Sequence, residues 1–281
     1  MTFYVSLSGL KGAQADLSAI SNNVANVNST AFKKSKAQFG DIFAASPMQT
    51  THQVAGQGVR VQGITQQFTQ GTIETTDKTL DLAITGEGFF TVKGEDGTIS
   101  YTRNGAFSVD NDRFAVDTTG SRIQVFAVDP ETGDLTTPPT SATGPGDLTD
   151  LQIPTTYNNE ADGAQLTSVG VSKEGLVSAI YADGSTVYLG QVAMASFNSL
   201  EGLRQQGDAH WTSTVESGNP IFGTANEGMF GSVNSGSLER SNVDITDELV
   251  QLIAAQRNFQ ANSKAIEAAN TLTTTIVNIR T

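Results

Sequence analysis

Apolar residues recur at two different periods along this 281-residue chain. Near its start Phe3, Leu10, Leu17 and Val24 repeat every seven residues, with Ala13, Ile20 and Val27 on the adjacent row. Near its end Ile245, Leu252, Phe259 and Ile266 do the same, and Leu249, Ala269, Leu272, Ile276 and Ile279 prolong the stripe. A seven-residue repeat is the seam of a coiled coil. Residues 3–27 and 245–279 therefore predict two long helices, each with a stripe to bury against the other or against another molecule. Their flanks are unusual. Between Met1 and Phe32 only Lys11 and Asp16 are charged, and between Leu249 and Ile279 only Arg257, Lys264 and Glu267. A two-stranded coil normally carries Glu and Lys beside its seam; here Ser, Asn, Gln, Thr, Ala and Gly stand there. Gly9, Gly12, Asn22, Asn23 and the run Thr273-Thr274-Thr275 also lower helix propensity. Two readings follow: a helical hairpin closed within one molecule, or helices that become ordered when many copies pack together.

Between the helices the period is two. Val59 and Val61, then Ile64 and Phe68, predict extended segments, after an aromatic stretch Gln38-Phe39-Gly40-Asp41-Ile42-Phe43 and a short lysine cluster at 33, 34 and 36. Leu80-Asp81-Leu82-Ala83-Ile84, Phe89-Phe90-Thr91-Val92, Tyr101-Thr102-Arg103, Phe107-Ser108-Val109, Phe114-Ala115-Val116 and residues 123–128 predict strands. Asp96-Gly97 and Asp183-Gly184 have the composition of hairpin turns. Many short strands at close spacing predict a mainly antiparallel, all-β domain. Residues 129–165 hold Pro130, Pro138, Pro139, Pro145 and Pro154, five of the seven prolines, and predict a surface excursion. Strands resume over 168–197, and the Gly- and Ser-rich residues 200–236 predict extended chain. Asp244 is the expected N-cap of the second helix, with Asp247 and Glu248 in its first turn, where the dipole favours them. The fold class predicted is α+β. Paired, coiled-coil-like terminal helices lie in an assembly domain of residues 1–70 and 236–281. A β-domain spans 71–235, with the Pro-rich excursion at 129–165.

Composition narrows the function. A formal net charge of −13 repels phosphates and argues against nucleic acid. With no cysteine there are no disulfides, thiolate nucleophiles or Cys-ligated metals. No apolar run approaches the ~20 residues that span a bilayer. The start lacks a basic segment followed by an apolar core, so any export would use another route than a cleaved signal peptide. Candidate chemistry is sparse. His52 and His210 lie in loop-like contexts without metal spacing. Asp110-Asn111-Asp112 begins like a calcium loop but lacks the Gly and the closing Glu, and reads as a hairpin turn. Gly86-Glu87-Gly88 lacks the rest of a dinucleotide fingerprint. Tyr101, Phe107 and Phe114 would form either a sugar-binding face or core. The expectation is no enzyme, no cofactor and no metal. A rival of another class is a glycan-binding β-domain, or a hydrolase, with oligomerising helices.

Three sets of motifs carry a family resemblance. Ser6-Leu7-Ser8-Gly9-Leu10, Ile20-Ser21-Asn22-Asn23-Val24-Ala25-Asn26-Val27-Asn28 and Phe32-Lys33 resemble the N-terminal signature of the flagellar rod and hook proteins. Gly71-Thr72-Ile73, Leu82-Ala83-Ile84-Thr85-Gly86-Glu87-Gly88-Phe89-Phe90 and Tyr101-Thr102-Arg103-Asn104-Gly105-Ala106-Phe107 are similar to that family's β-domain motifs. Gly236-Ser237-Leu238-Glu239-Arg240-Ser241-Asn242-Val243-Asp244, Glu248-Leu249-Val250 and Ala255-Gln256-Arg257-Asn258-Phe259 are similar to its C-terminal signature. One departure is Ala31, where the family often has Gly before Phe-Lys, so a slightly different turn is expected there. The opening around Phe3, the segment 39–43 and the ending Val277-Asn278-Ile279-Arg280 are most similar to hook subunits, with distal rod subunits next. Larger hook proteins carry an outer domain where only residues 129–165 stand here.

The resemblance implies a structural protein of the bacterial flagellum, exported by the flagellar type III apparatus and located in the extracellular hook or the basal body. Copies would assemble under a cap into a hollow helical homopolymer, with helices inside and β-domains outside sliding as the hook bends and transmits motor torque. It also implies rod, hook-cap and hook-filament junction proteins as partners, with no nucleic acid and no membrane insertion. The assembly seam expected is Phe3, Leu7, Leu10, Leu17, Ile20, Val24 and Val27 on the first helix, and Ile245, Leu249, Leu252, Phe259, Ile266, Leu272 and Ile276 on the second.

Overall fold

The computed structural model of the chain describes residues 2–42, 56–136, 144–156 and 163–279. Phe43, His52, Pro138, Pro139, Arg280 and most of 46–57 lie outside the described residues. The chain forms two compact units, one of residues 1–28, 33–68 and 243–281, the other of residues 29–32 and 69–242.

The first unit holds the two predicted helices, α1 (Thr2–Ala25) and α2 (Ile245–Ile279). Asp244 caps α2 as its position suggests: its carboxylate accepts from the backbone N–H of Thr246 at 2.8 Å and of Asp247 at 3.3 Å. At the other boundary, α1 ends in the Asn-rich stretch, where Asn26 N–H bonds to both Asn22 and Asn23 carbonyls at 3.1 Å. Beside α1 lies an antiparallel hairpin, Ser35–Asp41 against Val59–Gln66, with a bulge at Gln38 and Phe39. Gly12 lets the hairpin lie close, since a Cβ there would stand 3.4 Å from the Val59 side chain and 3.5 Å from the Phe39 ring.

The second unit is the β-domain. In its largest sheet the strands follow the order Leu166–Val171, Leu176–Tyr181, Thr186–Val192, Arg122–Phe126, Phe89–Lys93, Ile99–Thr102, His210–Thr212, Arg204–Gly207, with every neighbour antiparallel. Two short ladders flank it, Leu82–Thr85 with Ser232–Ser235 and Ile73–Thr75 with Ser237–Glu239. Alternate residues of the central strands, Phe90 and Val92, Ile123 and Val125, Val177, Val192 and Met194, meet in one core with Ile84 and Val233. Gly105 lies where the chain crosses Leu82 too closely for a side chain: a Cβ there would fall 1.8 Å from the Leu82 carbonyl.

Four sequence expectations change here. The Pro-rich segment is not wholly a surface excursion, because Leu148, Leu151 and Ile153 return to the interior and Thr149–Asp150 pairs with Arg122–Phe126. Their apolar side chains, sparse among Thr and Gly, are enough to bring the segment back. Residues 200–236 are not merely extended: they supply Arg204–Gly207, His210–Thr212, Ile221–Gly223 and Ser232–Ser235 to ladders. Ala31 keeps the left-handed turn of a glycine, with φ 57°, held by its N–H donating to the Glu239 carbonyl at 2.8 Å. Residues 236–242 pack with the β-domain rather than the helices, since Ser237–Glu239 pairs with Ile73–Thr75.

Candidate assembly surface

The helices of the first unit run antiparallel. Asn23 of α1 donates to Glu248 of α2 at 3.0 Å, and Gly9 faces Asn262, whose Oδ1 would stand 2.7 Å from a Cβ at that glycine. The two contacts are fourteen residues apart on both helices, two heptads with no slippage, as a coiled-coil seam requires. In α2 the residues withdrawn from solvent are Glu248, Leu252, Ala255, Phe259, Asn262, Ser263, Ile266 and Ala269. Apart from Ser263 they alternate by three and four. On α1 the buried positions are small, Gly12, Ala13 and Ala19, with Ile20 and Asn23. Gly9, which Asn262 faces, lets the two helices approach, while Gly12 faces the hairpin.

A polar knot fastens one end of this pair. Glu248 is fully buried, accepts from Asn23 and is ion-paired with Lys34. Asn23 also donates to the Ser35 carbonyl at 2.8 Å and accepts from the Ser35 N–H at 2.9 Å, so one amide side chain ties α1 to the start of the hairpin and to α2. Nearby, burial first and then the Glu248 charge raise the Asp16 pKa, against the pull of Lys36. Nothing in the apolar periodicity marks Asn23, Lys34 or Glu248; the lysine cluster and the acidic first turn flagged two of them, but not their pairing.

The predicted seam residues divide into two groups. Ile20 is buried, and Leu7, Leu10, Leu17, Val24, Val27, Leu252, Phe259 and Ile266 are half-buried. Phe3, Ile245, Leu249, Leu272 and Ile276 are exposed. Exposed apolar side chains gather at the two ends of the helix pair. At one end stand Ile245, Leu249, Ile253 and Val250, the last 64 % exposed. At the other stand Phe3, Val5 and Tyr4, 74 % exposed, with Leu272 and Ile276 at 65 % and 66 %. The second group follows from the register. Asn23 opposite Glu248 and Gly9 opposite Asn262 place Thr2 near Ala269, so the last turns of α2 extend past the end of α1. There the hydroxyls of Thr271, Thr273, Thr274 and Thr275 bond back to carbonyls three or four residues earlier. Soluble monomers rarely expose large contiguous apolar patches.

In the β-domain a second knot gathers the three stretches through which the chain enters and leaves that unit. Glu239, fully buried, is ion-paired with Arg103 at 3.4 Å and accepts from the Gly71 N–H at 2.8 Å, while its own carbonyl accepts from Ala31. Asn242 N–H donates to the Phe32 carbonyl, and its side chain donates to the Thr69 carbonyl at 3.1 Å. The Arg103 guanidinium lies 5.3 Å from the Phe89 ring centre. Its pKa is lowered by burial, which outweighs the opposing pull of Glu239.

Of the aromatic residues considered for a sugar face, Tyr101 and Phe107 are in the core, and Phe114 lies under the Arg122 guanidinium at 4.0 Å. His210 sits on a buried strand rather than in a loop. Among the described residues no helix is long and apolar enough to cross a membrane.

Three family models match the chain in order. Residues 3–33 match the flagella basal body rod protein model, 83–179 the flagellar hook protein FlgE/F/G D1 domain, and 234–279 the flagellar basal body rod FlgEFG protein C-terminal model. Flagellar basal-body rod protein FlgG of Bacillus subtilis is 34% identical over 294 positions, covering 99% of this chain and 98% of its own. Flagellar hook protein FlgE of Escherichia coli is 28% identical, with 100% of both chains covered. That alignment runs over 416 positions for a chain of 281, so about a third of them have no counterpart here. A crystal structure of Helicobacter pylori flagellar hook protein FlgE2 overlaps 50% of this chain and 38% of its own at 16% identity and a TM-score of 0.24. The class is that of structural proteins of the bacterial flagellum. Within it, this chain belongs to the family of flagellar hook and basal-body rod proteins.

Proposed function

We propose that the chain is a subunit of the flagellar hook, polymerising through its terminal helices into a tube that carries torque from motor to filament. The observation that carries this is the pair of uncovered apolar patches at opposite ends of the α1–α2 pair. They differ in composition, so the natural contact is head to tail, patch of one copy on the other patch of the next. Such heterologous contacts build open helical polymers when the rotation does not close. The rise between Ile253 and Leu272, nineteen residues at ~1.5 Å each, sets the patches ~28 Å apart along α2, room for separate neighbours. The β-domain, with its own core, serves as the outer wall and tolerates sliding because its fold does not depend on those patches. The partners that follow are copies of the chain and the adjoining rod, hook-cap and junction proteins.

The distal rod is the second reading. The match to a rod protein over 99% of this chain and 98% of its own favours it. Electron microscopy of cells lacking the chain separates the two. Complete rods with no curved segment outside the cell fit the hook; rods that stop short of the outer membrane fit the rod. Intact rods and hooks in such cells would remove both.

A further inference from the structure

We propose that His210 and Asp117 form a pH-sensitive clamp on the outermost hairpin of the large sheet. That hairpin, Arg204–Gly207 with His210–Thr212, is attached to the sheet through two residue pairs, His210 with Thr102 and Trp211 with Tyr101. Its outer strand is exposed throughout. Its turn is strained: Asp208 and Ala209 both hold left-handed backbone, φ 48° and 58°, and neither is glycine. Something must over-determine this geometry. The Thr102 hydroxyl contributes by donating to the Ala209 carbonyl at 2.8 Å. The larger tie is the imidazole of His210, buried, with Nε2 2.6 Å from Asp117 Oδ2 and Nδ1 2.9 Å from the Asp208 carbonyl.

Both ring nitrogens face acceptor oxygens. A neutral imidazole has one N–H, so it satisfies one of them and turns a lone pair toward the other. The doubly protonated ring satisfies both. Asp117 is built to meet that cation: its Oδ1 accepts from the Thr119 N–H at 2.8 Å, the Thr119 hydroxyl at 2.7 Å and the Ser121 N–H at 3.0 Å, which leaves Oδ2 for the ring. The charged groups acting on the imidazole are Asp117, from the turn before Arg122–Phe126, and Asp208, on the hairpin itself. The strand on its other side places the uncharged Thr102 opposite it.

The signs follow. Burial opposes ionisation of both groups, yet the hydrogen bonds and mutual attraction win: the His210 pKa is raised and that of Asp117 lowered. A raised imidazole value makes the clamp's stabilisation complete below the ordinary ~6.5 and lost as pH rises through the raised value. A lowered carboxylate value makes it persist below the ordinary ~3.9 and fail only as pH falls through the lowered one. The clamp is closed between these limits and opens on the alkaline side, freeing the strained turn and the outer strand.

The test uses the full chain. The imidazole C–H resonance of His210, identified by its absence in His210→Asn, is followed from about pH 5 to 9, together with amide exchange over 204–212. The chain's one tryptophan, Trp211, follows His210 in the same strand and supplies a fluorescence check. Expected is a His210 midpoint above the ordinary value, lower in Asp117→Asn than in the parent. Protection of the hairpin amides, corrected for intrinsic exchange, should fall across that midpoint. The limit is ~10-fold per unit by which the folded midpoint exceeds that of the opened hairpin. In His210→Asn the corrected protection should not vary with pH. A midpoint at or below the ordinary value overturns the clamp, and so does hairpin protection that is constant while His210 titrates. Both are read on the parent chain, whether or not Asp117→Asn folds.

Discussion

Removing either member of the Arg103–Glu239 pair should cost the β-domain far more than removing both. Both side chains are nearly sealed from water, and each also holds other contacts: Arg103 stacks near Phe89, and Glu239 takes the Gly71 N–H. Breaking a buried pair by deleting one partner typically costs 3–5 kcal/mol, because the surviving charge loses a partner that water cannot replace. The Arg103 to Glu239 distance of 3.4 Å exceeds the usual ~2.7–2.9 Å of a charge-assisted bond. The lower end, about 3 kcal/mol, is therefore expected for Arg103→Met. Glu239→Gln keeps an acceptor for Gly71 but turns an amide toward a guanidinium, and about 2–3 kcal/mol is expected. The double variant removes both charges of this pair and retains the Gly71 bond. It should lie within about 1 kcal/mol of the parent, a coupling of roughly 4 kcal/mol between the sites. Urea unfolding followed by circular dichroism, with the slope m unchanged, measures all four proteins. Additive single costs would refute the reasoning, as would a double variant less stable than either single one.

Other predictions concern the helices and one turn. Leu252→Asp or Ile20→Asp puts a carboxylate on the inner row at a cost of several kcal/mol and should abolish polymers while the β-domain unfolds at its parental midpoint. Leu272→Asp changes a side chain 65 % exposed in the single chain, so it should leave monomer stability within about 0.5 kcal/mol yet still block assembly; sedimentation reads both. In the monomer the amides of 271–279, beyond the end of α1, should exchange well before those around Glu248, and hydrogen exchange by mass spectrometry checks the order. Ala31→Gly should stabilise the β-domain by roughly 1 kcal/mol, the cost of a left-handed non-glycine residue, as read by its thermal midpoint.

Much of the architecture was legible in local sequence. Two periods, seven and two, located the helices and the strands, and Asp96-Gly97 and Asp183-Gly184 marked turns whose glycines do hold positive φ. The helix cap at Asp244 followed from residue type and place. What was not legible depends on distance. Arg103 and Glu239 are separated by 136 residues and Asp117 and His210 by 93, and nothing in either neighbourhood names its partner. The second helix shows a subtler limit. Ile245, Leu249, Leu252, Phe259, Leu272 and Ile276 are alike in hydrophobicity, but only some face α1 in the single chain. Apolar identity says that a residue wants burial; it does not say which surface will cover it. The register does, and it is fixed by Gly9, Asn23 and Glu248, a glycine and two polar residues that a search for apolar stripes passes over.

The central claim is that the terminal helices are completed by other copies of the chain. Electron microscopy of the purified protein under polymerising conditions tests it most directly. The account predicts hollow helical tubes with α1 and α2 packed around the lumen, Leu272 and Ile276 of one copy buried against its neighbour, and no tubes from Leu272→Asp. Protein that stays monomeric at every concentration would contradict it. So would tubes in which those side chains remain in solvent.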